Sequence, residues 1–292
     1  MNRITVALDL GPSTDTLVAY AAHLARDLEA SVVQLVHVHQ LFAEEAIAPA
    51  SFLAEQQALR ELQDVAKRIR QDIGDRVIRT EYSVVYGSVE NALLRASRGT
   101  DLLLLGQTLN TGIWRFILGD VTEGVLERAT CPLLVVPIGH AWQNPSRISL
   151  AVDDQALAPK AIPFLRRLAK AYGSSLDIFH LDDGDDRYPS GELADLLGDI
   201  RYTYHFERGR GSLADYLIEA SAGVRADWLT MIHHHRPQWR EWFRRNQSER
   251  VAEQSPMPVL ILPDWPSERD ADSDETTDQR AAALGTAVPA TA

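Results

Sequence analysis

The sequence predicts a doubly wound α/β architecture that occurs twice along one chain. Short aliphatic runs alternate with stretches whose apolar residues recur at helical spacing, the pattern of parallel strands joined by crossover helices. Two of those runs, LLLL at 102–105 and LLVV at 133–136, are apolar at every position, as strands buried on both faces are. The pattern then restarts. RITVAL at 3–8 followed by Asp9 returns as RISLAV at 147–152 followed by Asp153, and PLLVVP at 132–137 returns as PVLILP at 258–263. A repeat of this size is a duplicated domain rather than a solenoid unit.

In chain order, residues 3–8 form strand one, and Gly11-Pro12-Ser13 turns the chain. Ser13 or Thr14 is placed to cap a helix whose inner face holds Leu17, Val18, Ala21, Ala22, Leu24 and Ala25. Strand two spans 32–38. Pro49 and the polar residues before it mark a loop, followed by an amphipathic helix over 52–73 that Gly74 ends. Strand three spans 77–85, a helix follows Gly87-Ser88 over 89–98, and the aliphatic runs supply strands four and five around a helix holding Val121, Val125 and Leu126. Residues 141–147 read as a linker. In the second copy Gly211-Ser212 repeats Gly87-Ser88, residues 227–232 repeat 101–106, and His180 falls where His37 does. That copy is shorter: an acidic, glycine-containing stretch with a short helix near 192–197 replaces the long helix of the first. Each copy is therefore expected to be a flavodoxin-like or Rossmann-like domain, a five-stranded parallel sheet of order 3-2-1-4-5 with helices on both faces. The expected limits are 1–141 and 146–264, with 265–292 a disordered acidic tail. The two last strands, aliphatic and bracketed by prolines, are unpaired edges, so they are expected to pair with each other antiparallel over a few residues.

The 292 residues are long enough for two ordinary domains, and 45% hydrophobic with 24% charged residues suits a globular chain. A net charge of −12 argues against a nucleic-acid partner and against a membrane surface. Seven acids against two arginines over 264–292 place −5 of that charge in the tail. A lone cysteine, Cys131, excludes an intrachain disulfide and suits a reducing compartment; with no signal-peptide core and no membrane-length apolar run, the expected location is the cytoplasm. No complete P-loop, nucleophile elbow or dinucleotide fingerprint is present.

Binding chemistry centres on residues 101–137. A strand ends at Gly106, a loop follows, and Gly119-Asp120 opens a helix, so loop and helix N-terminus aim backbone N–H groups at one spot suited to a phosphate. Asp9 lies at the C-terminal end of strand one, the edge where open α/β sheets bind ligands, although an Asx turn would also explain it. With Gly106, Gly119, Val121, Thr122 and the CPLLVVP strand, the chain resembles the universal stress protein family. That family's loop reads glycine, two residues, glycine, nine residues, glycine, then serine or threonine. Leu109 stands at the second glycine and Asp120 at the hydroxyl position. The resemblance implies stress response and, for some members, ATP binding, with Asp9 beside the adenine and Val38, Gly106, Gly119, Asp120, Val121 and Thr122 around the rest of the nucleotide. It supplies no reaction. Asp120 already complements the helix dipole and would repel a phosphate by about 1 kcal/mol in water, unless a Mg²⁺ between them made it a ligand.

The matching second-copy loop has lost both glycines, to Ile232 and His235, and Arg245-Asn246 replaces the last glycine and serine. It is cationic, with Arg236, Arg240, Arg244 and Arg245, and could hold an anion through arginine or face a partner. His233 and His235 could share a side of an extended segment, with His205 or Asp183 as a third metal ligand, but structural zinc normally shows a ligand pair at each end. Trp239, Trp242 and Phe243 read as packing residues. Cys131 has no catalytic partner nearby in sequence.

The expected function is thus that of a stress-response binding or regulatory protein, with ATP in the first half only and no catalytic or metal residue assigned. One alternative is an adaptor without nucleotide whose cationic loop docks a protein. Another is a slow ATPase. The two halves form a pseudo-dimer within one chain, and a homodimer and an unidentified protein partner remain open.

Overall fold

The computed structural model describes residues 1–39, 49–74, 76–107, 124–125, 128–152, 161–182, 195–208, 213–233, 251–252 and 254–263. Their elements are β1 (Arg3–Ala7), α1 (Thr14–Asp27), β2 (Val32–His39), α2 (Pro49–Ile73), β3 (Arg79–Tyr86), α3 (Val89–Ser97), β4 (Leu102–Gly106), β5 (Leu133–Val136), β6 (Arg147–Val152), α4 (Ala161–Tyr172), β7 (Ser175–Asp182), β8 (Tyr202–Arg208), α5 (Leu213–Gly223), β9 (Trp228–His233) and β10 (Val259–Pro263). The expected acidic tail, residues 265–292, lies outside the described residues.

All ten strands belong to one sheet of order β3-β2-β1-β4-β5-β10-β9-β6-β7-β8. Each half is a parallel 3-2-1-4-5 unit, as the sequence predicts. Among the described residues the one antiparallel junction is β5 with β10: Leu134 faces Leu260, Val135 faces Val259 and Leu133 faces Ile261. The flanking prolines confine it to these three pairs, and all six side chains are buried.

Two apolar layers cover the sheet, and both cross the junction. One packs α1, α2 and α4 on Ile4, Val6, Leu104, Leu134, Leu260 and Ile148. The other packs α3, α5 and residues Val125, Ala129, Val251 and Ala252 on Leu103, Leu105, Val135, Val259 and Met231. Burying each such side chain contributes about 1.5–3 kcal/mol, so the seam is stabilised as a core and not as a surface contact.

The repeat extends to polar detail. Asp101 accepts the backbone N–H of Asn2 (2.5 Å) and Arg3 (2.9 Å), pinning the start of β1 to β4; Asp227 accepts that of Arg147 (2.9 Å) and does the same for β6 and β9. The expected linker is a structural strap. Trp142 stacks on His23 (4.8 Å) and meets Tyr20 edge-on (4.8 Å), with Tyr172 and Trp228 closing the cluster, and Tyr20 Oη lies 2.8 Å from His140 Nδ1. Arg167 of α4 donates to the carbonyl of Leu28 (2.6 Å), a helix C-terminus where a cation is favoured.

Three sequence expectations need correction. Helix α2 begins at Pro49 rather than after it, because proline is pre-shaped for the first helical position and lacks only an N–H that would go unpaired there. Ser13 occupies the N-cap of α1 but makes no capping bond; its hydroxyl is turned to Asp9. The third strand starts at Arg79, not at residue 77.

Candidate functional site

The strand order reverses between β1 and β4, since β1 runs on to β2 on one side and meets β4 on the other. In open parallel sheets the crevice beyond the strand ends at such a point is where ligands bind. Asp9 and Gly106 flank it, two residues beyond β1 and at the last residue of β4.

Asp9 forms the turn that launches α1. Its Oδ1 accepts the Gly11 N–H at 2.9 Å and the Ser13 hydroxyl at 2.8 Å. The first bond is an Asx turn, so the bland reading of Asp9 is present in the geometry. Between these residues Leu10 adopts φ 57°, a left-handed conformation that costs a non-glycine residue about 1–2 kcal/mol. The loop therefore holds a strained residue at the ligand edge.

Gly106 has a local reason to be glycine. A Cβ there would lie 2.8 Å from Ser13 Cβ and 2.9 Å from Ser13 Oγ, too close for any real contact. Ser13, 2% exposed, is thus wedged between Asp9, to which its hydroxyl donates, and the end of β4, which it approaches closely. The third wall is β2. His37 Nδ1 lies 2.8 Å from the Leu8 carbonyl, and Leu8 N–H donates to Val36, so the end of β1 is locked to β2. Val38 sits near the end of β2 with its side chain buried in the second apolar layer, which leaves only its backbone at the edge. The structure therefore brings Asp9, Gly106 and Val38 to one sheet edge. Gly119, Asp120, Val121 and Thr122 lie outside the described residues, as does Leu109.

Two residues near the edge carry no site signal in the sequence. Ser13 reads there only as a cap. Gln107, 7% exposed, continues β4 by donating its N–H to Val136 (2.8 Å), and its side-chain amide reaches the second half, donating to the carbonyls of Ala252 (3.0 Å) and Ser255 (3.5 Å). A polar residue straight after a buried aliphatic strand is the only signal the sequence offers for it.

The second half differs where it matters. Ile232 replaces Gly106, and its side chain is buried in the first apolar layer. His180, the counterpart of His37, is 1% exposed and meets Tyr204 Oη at 2.5 Å. His205, weighed as a metal ligand, is held by Asp177 (2.8 Å) and stacks on Phe179 (4.7 Å). Asp183, His234, His235 and the arginine-rich stretch lie outside the described residues. Among the described residues no three His, Cys, Asp or Glu groups converge on a metal position, and no helix is long and apolar enough to cross a membrane. Burial, and then the charge of Asp101, push the Cys131 thiol up to about 12, so it carries no thiolate chemistry at neutral pH.

Residues 1–137 match the model of the Universal stress protein family. The fold superposes on a universal stress protein from Archaeoglobus fulgidus DSM 4304 with a TM-score of 0.73 at 19% identity, covering 89% of this chain and 96% of that one. It superposes on a functionally unknown protein from Pseudomonas aeruginosa PAO1 with a TM-score of 0.63 at 16% identity, covering 95% and 97%. The cytoplasmic domain of a prokaryotic cation chloride cotransporter follows with a TM-score of 0.55 at 10% identity, covering 92% and 98%. These likenesses establish the fold alone. No curated protein is similar enough in sequence to match the chain. Residues 1–137 belong to the universal stress protein family, and the second half of the chain repeats their fold.

Proposed function

We propose that this chain is a stress-response regulatory protein of the cytoplasm that takes one ATP, in its first half only. The observation that carries the reading is the sheet edge between β1 and β4, where Ser13 donates to Asp9 and lies close against Gly106. A carboxylate and an open strand end at a topological switch point suit a nucleoside, the base or ribose meeting Asp9 and the phosphates running past Gly106. The second half supports the same asymmetry, because a buried isoleucine takes the place of that glycine. Gly119 and Thr122 complete the phosphate end in this reading, and Asp120 weakens it.

Calorimetric titration of the full chain with ATP tests it. The expected result is one site per chain, lost in Asp9→Ala and unchanged in Arg245→Gly. Absence of binding at millimolar ATP would remove the nucleotide reading and leave the adaptor, a scaffold whose arginine-rich second loop docks a protein. Phosphate release during the same incubation separates a slow ATPase from a binding protein.

A further inference from the structure

Through its side-chain amide Gln107 joins the end of the site's own strand to the far half. It lies one residue past Gly106, and so beside the crevice, on the face of the sheet shared with Leu103 and Leu105. From there it crosses β5 and donates to the carbonyls of Ala252 and Ser255. These carbonyls belong to the helical turn that precedes β10, where the last C=O groups of a helix lack intrahelical partners. The turn is tightly made: Ser255 N–H donates to Val251, and Ser255 Oγ both donates to the Met257 carbonyl (2.7 Å) and accepts its N–H (3.2 Å). Val251 and Ala252 are buried in the same layer as Leu105 and Val135. Arg245 and Arg244 of the cationic stretch stand six and seven residues before Val251 in sequence.

We propose that Gln107 is a positioning residue that couples ligand occupancy beside Gly106 to the helical turn at residues 251–257 of the second half. The inference rests on the nucleotide reading above. A ligand that fixes the end of β4 fixes Gln107. Gln107 in turn donates to two carbonyls of the turn that follows the arginine-rich stretch in sequence. The coupling is reciprocal: whatever orders the turn from the second half also orders the strand end in the first. The duplicated, ligand-poor half thereby becomes the reporter of the ligand-competent one.

Hydrogen exchange by mass spectrometry on the full chain tests this, with and without ATP, in wild type, Gln107→Met and Gln107→Lys. Methionine keeps the length and loses the donor, while lysine keeps a donor. Without ligand, Gln107→Met should speed exchange at 251–257 by roughly fivefold, the loss of about one hydrogen bond, with residues 3–39 unchanged. With ATP, residues 8–11 should be protected in all three proteins. Residues 251–257 should respond in wild type and Gln107→Lys but not in Gln107→Met. Protection at 8–11 with no response at 251–257 in wild type, or the same response in Gln107→Met, overturns the proposal. If ATP protects nothing, the nucleotide reading fails on its own and the ligand-free comparison decides the tether: a fivefold rise upholds it, unchanged exchange removes it.

Discussion

At the scale of the residue, the site is governed by close approach. Gly106→Ala would drive a Cβ into Ser13, and overpacking of this kind costs about 1–3 kcal/mol. Urea denaturation should show that loss, and Ser13→Gly in the same chain should return part of it by removing the opposing Cβ; an undiminished loss in the double variant would mean the contact is not the cause. In the proposed nucleotide site, Asp120 would act through charge. Asp120→Ser should tighten ATP binding roughly tenfold if it removes about 1.4 kcal/mol of repulsion, measured by calorimetry with and without Mg²⁺. Loss of Mg²⁺-dependent binding in that variant would instead make Asp120 a ligand of the metal. Asp9 and Gly106 could be placed at the sheet edge from sequence because strand ends and glycines are local signals, whereas Val38 followed only from the family resemblance. It could not reveal that Ser13 bonds Asp9 instead of capping α1, since a free hydroxyl at an N-cap and one claimed by a neighbouring carboxylate read the same. Gln107 was hidden for a stronger reason. Its partners lie 145 and 148 residues away in the chain.

At the scale of the element, the strap between the halves carries a pH dependence. Burial holds the imidazoles of His140 and His23 below the usual histidine range, with Arg26 adding to the effect at His23. His23 Nδ1 accepts from the Arg26 guanidinium, which only the neutral ring can do, and His140 Nδ1 pairs with Tyr20 Oη. Because the folded pKa is depressed, the unfolded chain takes up protons first as pH falls. This stability is complete above the unfolded value of about 6.5 and is lost as pH drops from there through the folded value. The thermal midpoint should therefore fall between pH 7 and pH 5.5, and the double variant His23→Gln, His140→Gln should flatten that slope; an equal slope in the variant would place the titration elsewhere. The strap itself was legible only as a linker. Trp142 has no periodic partner in sequence, and only the packed structure sets it against α1, α4 and β9. Inner strands such as β4 and β5 were legible because burial on both faces leaves a short aliphatic run, whereas β3, with no fully buried residue, showed only partial alternation.

At the scale of the whole molecule, the duplication closes on itself. Each half leaves one aliphatic edge, and the two edges cover each other in a single sheet whose core layers run through the junction. Leu134→Ala and Leu260→Ala should each cost about 2–5 kcal/mol and shift one cooperative transition. Directly opposed residues should also couple, so the double variant should depart from additivity. Two separate transitions would show that the halves unfold independently. The pairing was foreseeable, because unsatisfied edges with matching sequence in one chain have one economical solution. The asymmetry of function across that symmetric frame is the central claim, and native mass spectrometry of the purified full chain in ATP tests it most directly. One nucleotide per chain is the predicted stoichiometry, retained when the arginines of the second loop are changed and lost in Asp9→Ala. Two nucleotides per chain, or none, would contradict it.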